Sequence, residues 1–507
     1  MKRRVDEVIG LLQKTGLLTK VSLGTLSEDT ALSDITYDNR SAREGCLFIC
    51  KGAAFKKEYL IDAFERGASL YIAEEPLCQE LPYLAVSDIR RTMSYLGALF
   101  FEDETRDLVK IGITGTKGKT TVSILLHAIL DCFSMERHQT KSGLLSSLYI
   151  ENGRDKLESK LTTPEAIELW HHLAEMKRNR LSFVTCEVSS QALRYHRVSD
   201  VSFDQALFLN IGNDHISEAE HPDFQDYFSA KLSIFDLARR ACINSSSDRF
   251  GEVIAAAKGS GCEIYTFGFQ PTDTLFCEGY EHTEGKTRFT VSYMGYESEE
   301  YEILLLGKHN VENALAAILS AKLLSVPDDC IREGLLFAEV EGRGVELATE
   351  DRRVRVIVDY AHNGMSLEAV YRYVESAYPE YRVITLFGCP GGKGMNRRED
   401  MGKIAGKNSD LVLITEDDPA KEPLLEICQS VAAYVEREGT PYEIIPDRGQ
   451  AIVRAFSLCQ DKTVILLCGK GVEKTQKRAT GDVPYEGDLY FAQEGIAAYD
   501  RSLLPIG

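Results

Sequence analysis

The chain has 507 residues, more than one hydrophobic core sustains, since domains run to about 100–200 residues each; three domains are expected. Hydrophobic residues make up 44% and charged residues 27%, an ordinary globular composition that excludes disordered and fibrous classes. The formal net charge of −20 speaks against general nucleic-acid binding, which needs a basic face. It leaves room for a local basic pocket holding a small anion, and otherwise reads as solubility.

The 13 cysteines are dispersed and form no C-x-x-C pair; the closest two are Cys46 and Cys50. Such a set fits reduced, buried thiols in a cytoplasmic protein, and no zinc site is legible. The start, MKRRVDEVIGLLQ, is basic but lacks the apolar run of a signal peptide. No stretch approaches the ~20 apolar residues of a membrane span. A cytoplasmic monomer without nucleic-acid or membrane partners is expected.

In chain order, residues 1–103 form a first block. LSDITYDNR, GCLFIC and SLYIAEE read as strands and EYLIDAFERGA as a helix, a small α/β unit. A second block, 104–338, opens on DLVKIGITGTKGKTTVSILLHAIL, an apolar strand running through a glycine-rich turn into a helix. LSFVTCEVSS and VSFDQALFLN follow as apolar runs ending in polar residues, the pattern of a parallel sheet whose strand ends meet a ligand. The third block, 339–507, carries VRVIVDYAH, YRVITLFG, SDLVLITEDD and KTVILLCGKG as buried strands between helices, a second doubly wound domain. The fold class expected is α/β in three domains: a small N-terminal unit, a central P-loop unit and a C-terminal Rossmann-like unit.

The sharpest signal is Gly115-Thr116-Lys117-Gly118-Lys119-Thr120-Thr121. Glycines let backbone N–H groups approach phosphate oxygens, and the following helix presents its positive end. Lys119 would reach the β and γ phosphates and Thr120 would ligate Mg²⁺. The spacing, GxxGKT, is shorter than the usual GxxxxGK[ST], with Ile113 where the first glycine would stand. Glu187, a carboxylate at a strand end near this loop, is a reasonable Mg²⁺ ligand.

ITGTKGKTT resembles the ATP loop of the Mur ligases, and further signatures of that family follow in order along nearly the whole chain. ITYDNRSAREGCLFICKG resembles the segment receiving the UDP end, which implies Tyr37, Asn39 and Arg40 at the uridine site, followed by Ala53, Ala54 and Phe55. Leu161-Thr162-Thr163-Pro164 resembles the muramoyl-peptide segment, and EVSSQAL with Arg197 implies that Ser189 and Arg197 also contact that substrate. In NIGNDH, His215 resembles a second metal ligand beside Thr120 and Glu187. YFSAK resembles the segment whose lysine, here Lys231, is carbamylated in relatives. Gly307-Lys308-His309-Asn310 with Asn313 resembles the adenine-side motif, Arg343 the hinge arginine, and Asp359 the carboxylate on the ATP ribose. Arg398 aligns with the arginine holding the incoming amino acid's α-carboxylate, and Gly469 and Glu473 with its amino end.

The resemblance implies an ATP- and Mg²⁺-dependent ligase. The carboxylate of UDP-N-acetylmuramoyl-L-alanyl-D-glutamate would attack the γ-phosphate, and an amine would displace phosphate from the acyl phosphate. Lys119, Glu187, His215 and Lys231 would carry the chemistry. EDDPA bears on the amine. Relatives using meso-diaminopimelate carry Asp-Asn-Pro-Arg, whose arginine pairs with the distal carboxylate. With Asp417, Asp418, Pro419 and Ala420 instead, the pocket loses a cation and gains an anion, which favours L-lysine. Open alternatives are a paralogue taking diaminopimelate or ornithine, an amide ligase of the folylpolyglutamate or cyanophycin type, and a non-catalytic nucleotide-binding regulator.

Overall fold

The structure, a computed structural model, describes residues 2–503 apart from 53–54, 138–139, 215, 217–219, 284–285, 339, 341–343 and 461. Three main sheets follow one another along the chain. The first combines β1 (Leu18–Ser22), β2 (Ile35–Thr36), β3 (Leu47–Ile49), β4 (Leu70–Ala73) and β5 (Tyr83–Val86) in the order β1-β5-β4-β3-β2. Only β1 runs antiparallel. The expected strand through ITYDNR is cut short after Thr36, because the Asp38 side chain accepts the Arg40 N–H and starts a 3₁₀ turn at Asn39–Ser41.

A 17-residue helix, Ile89–Thr105, leads out of this unit. It packs on the helix Ala166–Arg178 of the next one, where a Cβ at Gly97 would lie 2.2 Å from the Trp170 ring. The seam therefore requires glycine at 97 and fixes the first unit against the second.

The central sheet is built on β6 (Val109–Thr114), flanked in parallel by β7 (Phe183–Glu187) and β8 (Phe203–Phe208), with β9 (Ala238–Asn244) and β10 (Glu263–Gly268) beyond β8. Leu275–Thr283 joins β10 through a short parallel pairing, and there the parallel sheet read from the sequence ends. Lys286–Tyr293 and Glu299–Ile303 then extend it antiparallel, so that these last three strands form a meander. Residues 286–293 alternate exposed and buried side chains, the period-2 pattern of a sheet covered on one face only.

The third sheet places β11 (Val345–Ala348), β12 (Val354–Asp359), β13 (Arg382–Phe387), β14 (Leu411–Ile414), β15 (Tyr442–Ile444) and β16 (Thr463–Cys468) in the order β11-β12-β16-β13-β14-β15. The four strands read from the sequence are its parallel centre, and every residue of β16 is buried. Among the described residues no helix is long and apolar enough to cross a membrane. All 13 cysteines are free thiols.

Candidate active site

The carboxyl ends of the central and third sheets meet at one cleft, where ligands of open α/β sheets bind. The 115–118 turn leaves β6 and enters the helix Lys119–Glu136. Gly118 has φ +85°, and a Cβ there would sit 2.3 Å from Asn313 Oδ1, so conformation and space both demand glycine. Asn210 braces the turn: its Oδ1 accepts the Lys117 N–H at 2.8 Å and its Nδ2 donates to Lys117 O at 3.1 Å. Lys119 Nζ donates to Gly115 O at 2.9 Å and Thr116 O at 3.4 Å, curling over the turn.

Beside the turn, the Thr120 hydroxyl donates to Glu187 Oε2 at 3.1 Å, and Glu187 Oε1 accepts from the Ser147 N–H at 3.0 Å and hydroxyl at 3.1 Å. Register explains the meeting, because Glu187 pairs with Ile113 on the neighbouring strand. Hard oxygen donors of this kind suit Mg²⁺, which takes one or two protein oxygens and completes its shell with phosphates and water. Ser147 escaped the sequence reading, since a serine after a short strand carries no motif. His215, the expected third ligand, lies outside the described residues, as do Arg343 and Ala53–Ala54. Among the described residues no group of three His, Cys, Asp or Glu side chains forms a metal cluster.

Lys231 is 1% exposed. Its Nζ donates to Gly115 O at 2.9 Å and lies 4.8 Å from the Tyr227 ring centroid. Burial, reinforced by Lys119 and Lys117, drives its pKa well below the ordinary lysine value, which favours the neutral amine.

Two cavities share the loop. The smaller, about 340 Å³, is lined by Thr116 to Thr120, Ser147, Thr162, Glu187, Asp359, His362, Arg397, Asp417, Asp418, Gly469 and Glu473 among others. The larger, about 460 Å³, runs from Lys117, Gly118 and Thr121 past Lys308, Asn313 and Tyr373 to Asp359. Asp359 therefore stands where the two join, its Oδ2 accepting the Gly344 N–H at 2.8 Å.

At the far end of the smaller cavity, Lys470 is 1% exposed. Its Nζ donates to Asp418 Oδ1 at 2.7 Å and Glu473 Oε2 at 2.6 Å, while Tyr360 OH donates to Glu473 Oε1 at 2.6 Å. Asp418, the anion that the sequence adds to the pocket, is thus already paired with Lys470. Asp417 adds a further carboxyl: it is 7% exposed, and burial pushes its pKa up to about 6, against the lowering pull of Arg448 and Lys470. Three carboxylates around one lysine leave the pocket anionic.

Other expected residues sit around this wall. Arg398 is buried, with Nη2 donating to Glu422 at 2.7 Å and Nε without a partner. Pro419 packs against Gly391. Ala420, at φ +52°, donates its N–H to Lys477 O at 2.8 Å and does not reach the cleft. Towards the first unit, Thr163 Oγ1 donates to Glu187 O at 2.7 Å, and Ser189 caps the helix Ser190–Arg194. Arg197 donates to Thr163 O at 3.2 Å and pairs with Glu165 at 3.0 Å, and Glu165 also holds Lys51 at 2.5 Å. Arg197 Nε is buried without a partner. Tyr37 donates to Glu168 at 3.0 Å and Asn39 to Asp62 at 2.6 Å, whereas Arg40 folds onto Asp38 at the surface.

A glycine-rich turn opening a helix, a cluster of oxygen donors and a group of carboxylates thus line one cleft. The Mur ligase middle domain matches residues 113–321, and the Mur ligase glutamate ligase domain matches residues 343–471. A UDP-N-acetylmuramyl-tripeptide synthetase of Lactobacillus delbrueckii subsp. bulgaricus is 34% identical over 97% of this chain and 98% of its own length. An Enterococcus faecalis UDP-N-acetylmuramoyl-L-alanyl-D-glutamate--L-lysine ligase is also 34% identical, over 93% and 94%. Among solved structures, a UDP-N-acetylmuramoyl-L-alanyl-D-glutamate--2,6-diaminopimelate ligase superposes with a TM-score of 0.64 at 21% identity, covering 98% of this chain and 99% of that one. The chain belongs to the Mur ligase family, whose members are ATP-dependent ligases.

Proposed function

We propose that this protein adds L-lysine, as the third amino acid, to UDP-N-acetylmuramoyl-L-alanyl-D-glutamate with ATP, in peptidoglycan precursor synthesis. The observation that carries this reading is the anionic pocket of Asp417, Asp418 and Glu473 opening into the same cleft as the phosphate loop, in a chain whose relatives are named for lysine addition. An excess of carboxylates attracts the ε-ammonium of lysine and repels the distal carboxylate of diaminopimelate.

In this reading adenosine occupies the larger cavity, with Asp359 accepting hydrogen bonds from the ribose and Asn313 near the base. The triphosphate runs over 115–120, where Lys119 turns its ammonium from backbone carbonyls to the β and γ oxygens. Mg²⁺ held by Thr120 and Glu187, with Ser147 close by, would neutralise phosphate charge during transfer. The muramoyl-dipeptide extends from Tyr37 and Asn39 past Arg197 and Thr162, bringing its carboxylate to the γ-phosphate. Carboxylate attack releases ADP and leaves an acyl phosphate. The α-amine of lysine then attacks the acyl carbon, releasing phosphate and forming the amide. Arg398, with its buried Nε, holds the α-carboxylate of the incoming lysine. Lys231, buried with its neutral amine favoured, is disposed to add CO₂ and lose a proton as a carbamate, which places an anion next to the loop. Most of the rate enhancement comes from positioning and fixed charge.

The test is phosphate release from ATP with UDP-N-acetylmuramoyl-dipeptide and L-lysine, diaminopimelate or ornithine in turn. Lysine should give the largest kcat/KM. A larger value for diaminopimelate would reject the reading of the pocket.

A further inference from the structure

Behind the smaller cavity sits a carboxylate that the reaction as described does not use. Asp214 is fully buried and absent from the cavity wall. Its Oδ1 accepts from Arg397 Nη2 at 3.0 Å and Nε at 3.2 Å, and its Oδ2 accepts from Asn363 Nδ2 at 2.8 Å. Lys117 Nζ lies 3.3 Å from the same Oδ2. Lys117 also donates to His362 Nε2 at 3.0 Å, while His362 Nδ1 donates to Tyr360 O at 2.9 Å. That second bond fixes the tautomer that leaves Nε2 an acceptor.

These groups come from different units. Lys117 belongs to the phosphate loop and Asp214 to the segment after β8. Asn363 caps the helix Gly364–Ala377 and Arg397 lies in the first turn of the helix Asn396–Asn408, both on the third sheet. Asp214 is thus a socket in the central unit that receives two helix starts from the third. Both of its cationic partners, Lys117 and Arg397, face the cleft beside Lys119. Burial lowers the Lys117 pKa to about 7, and a phosphate anion arriving beside Lys117, Arg397 and Lys119 would favour its charged form. A buried ion pair kept only for stability gains little over an apolar contact, and this one opens its cations into the site.

We propose that Asp214 is a positioning residue that holds Lys117 and Arg397, one from each unit, as a paired clamp on the terminal phosphate. The clamp is complete only when the third unit is docked on the central one, so phosphate recognition and domain closure are a single event. The assignment requires the nucleotide half of the ligase reading, not the choice of amine.

The test compares binding of ADP and of the β,γ-imido triphosphate, each with Mg²⁺, to the full-length protein. The unaltered protein should prefer the triphosphate. Arg397→Met and Lys117→Met should each weaken triphosphate binding about tenfold, the scale of one charge-assisted hydrogen bond, and move ADP binding less than about threefold. Asp214→Asn should do the same, and should cost much less when added to Arg397→Met than alone, because it acts through that arginine. Arg397→Lys should recover most of the triphosphate preference, which keeps the test decisive if Asp214→Asn does not fold. Equal losses for both nucleotides, full additivity, or no difference between Arg397→Lys and Arg397→Met would overturn the clamp. A protein that binds both nucleotides as expected but makes no amide with lysine would reject only the ligase reading.

Discussion

Replacing Asp417 by asparagine should stabilise the ligand-free protein while crippling its use of lysine. The carboxyl is 7% exposed, and burial lifts its pKa from the ordinary 3.8 to about 6. A carboxyl raised in the folded state favours its neutral form. Its charged form therefore costs stability in full above pH 6, and nothing below about 3.8. The gap corresponds to about 3 kcal/mol at pH 7.5 and about half that at pH 5. Asparagine drops the charge but buries an amide, taking back about 1 kcal/mol. The variant should exceed the parent by about 2 kcal/mol at pH 7.5 and by less than about 1 kcal/mol at pH 5. Urea midpoints of the full chain at the two pH values read this difference. In the same variant the KM for lysine should rise about tenfold or more, since the ammonium loses a charged acceptor. A variant less stable than its parent at pH 7.5, or a stability difference unchanged by pH, would refute the claim that Asp417 is held as a costly charge for a ligand.

The unaltered enzyme should show the same group in its kinetics: KM for lysine should climb about tenfold per pH unit below 6, and a flat profile between pH 5 and 7 would remove Asp417 from the amine pocket. Lys119→Ala should abolish ligation, with residual kcat/KM at least about a thousandfold down; appreciable turnover would reject its phosphate role. Ala420→Arg should weaken lysine use by bringing a cation towards Asp418 and Lys470, and unchanged lysine kinetics would show that position 420 does not shape the pocket. Labelled ¹³CO₂ should give a carbamate carbon resonance that disappears in Lys231→Ala, whereas a spectrum identical in both proteins would deny the modification.

Much of the site was legible locally. The phosphate loop declares itself because its glycines, lysine and threonine are consecutive and lie between a strand and a helix. Glu187 and Asp359 could be read because each ends an apolar strand, and parallel sheets deliver such positions to one edge. Ser147 was not legible, since only the fold brings it to Glu187, 40 residues away in the chain. Lys470 stands in a glycine-rich run that gives no sign of its partners, and only the fold brings it to Asp418, 52 residues away in the chain. The Asp214–Arg397 contact joins residues 183 apart in sequence, and no spacing rule reaches across two sheets. The antiparallel meander after residue 275 was missed because alternation over short strands is a weak signal beside continuous apolar runs.

The central claim is that the phosphate loop, Glu187 and the anionic pocket serve one reaction. Phosphate release by the purified protein, followed with ATP and UDP-N-acetylmuramoyl-L-alanyl-D-glutamate and with L-lysine present or omitted, tests it most directly. Release that requires the dipeptide and lysine together, with one tripeptide formed per phosphate, is the predicted result. Release indifferent to both substrates, or none with lysine, would contradict it.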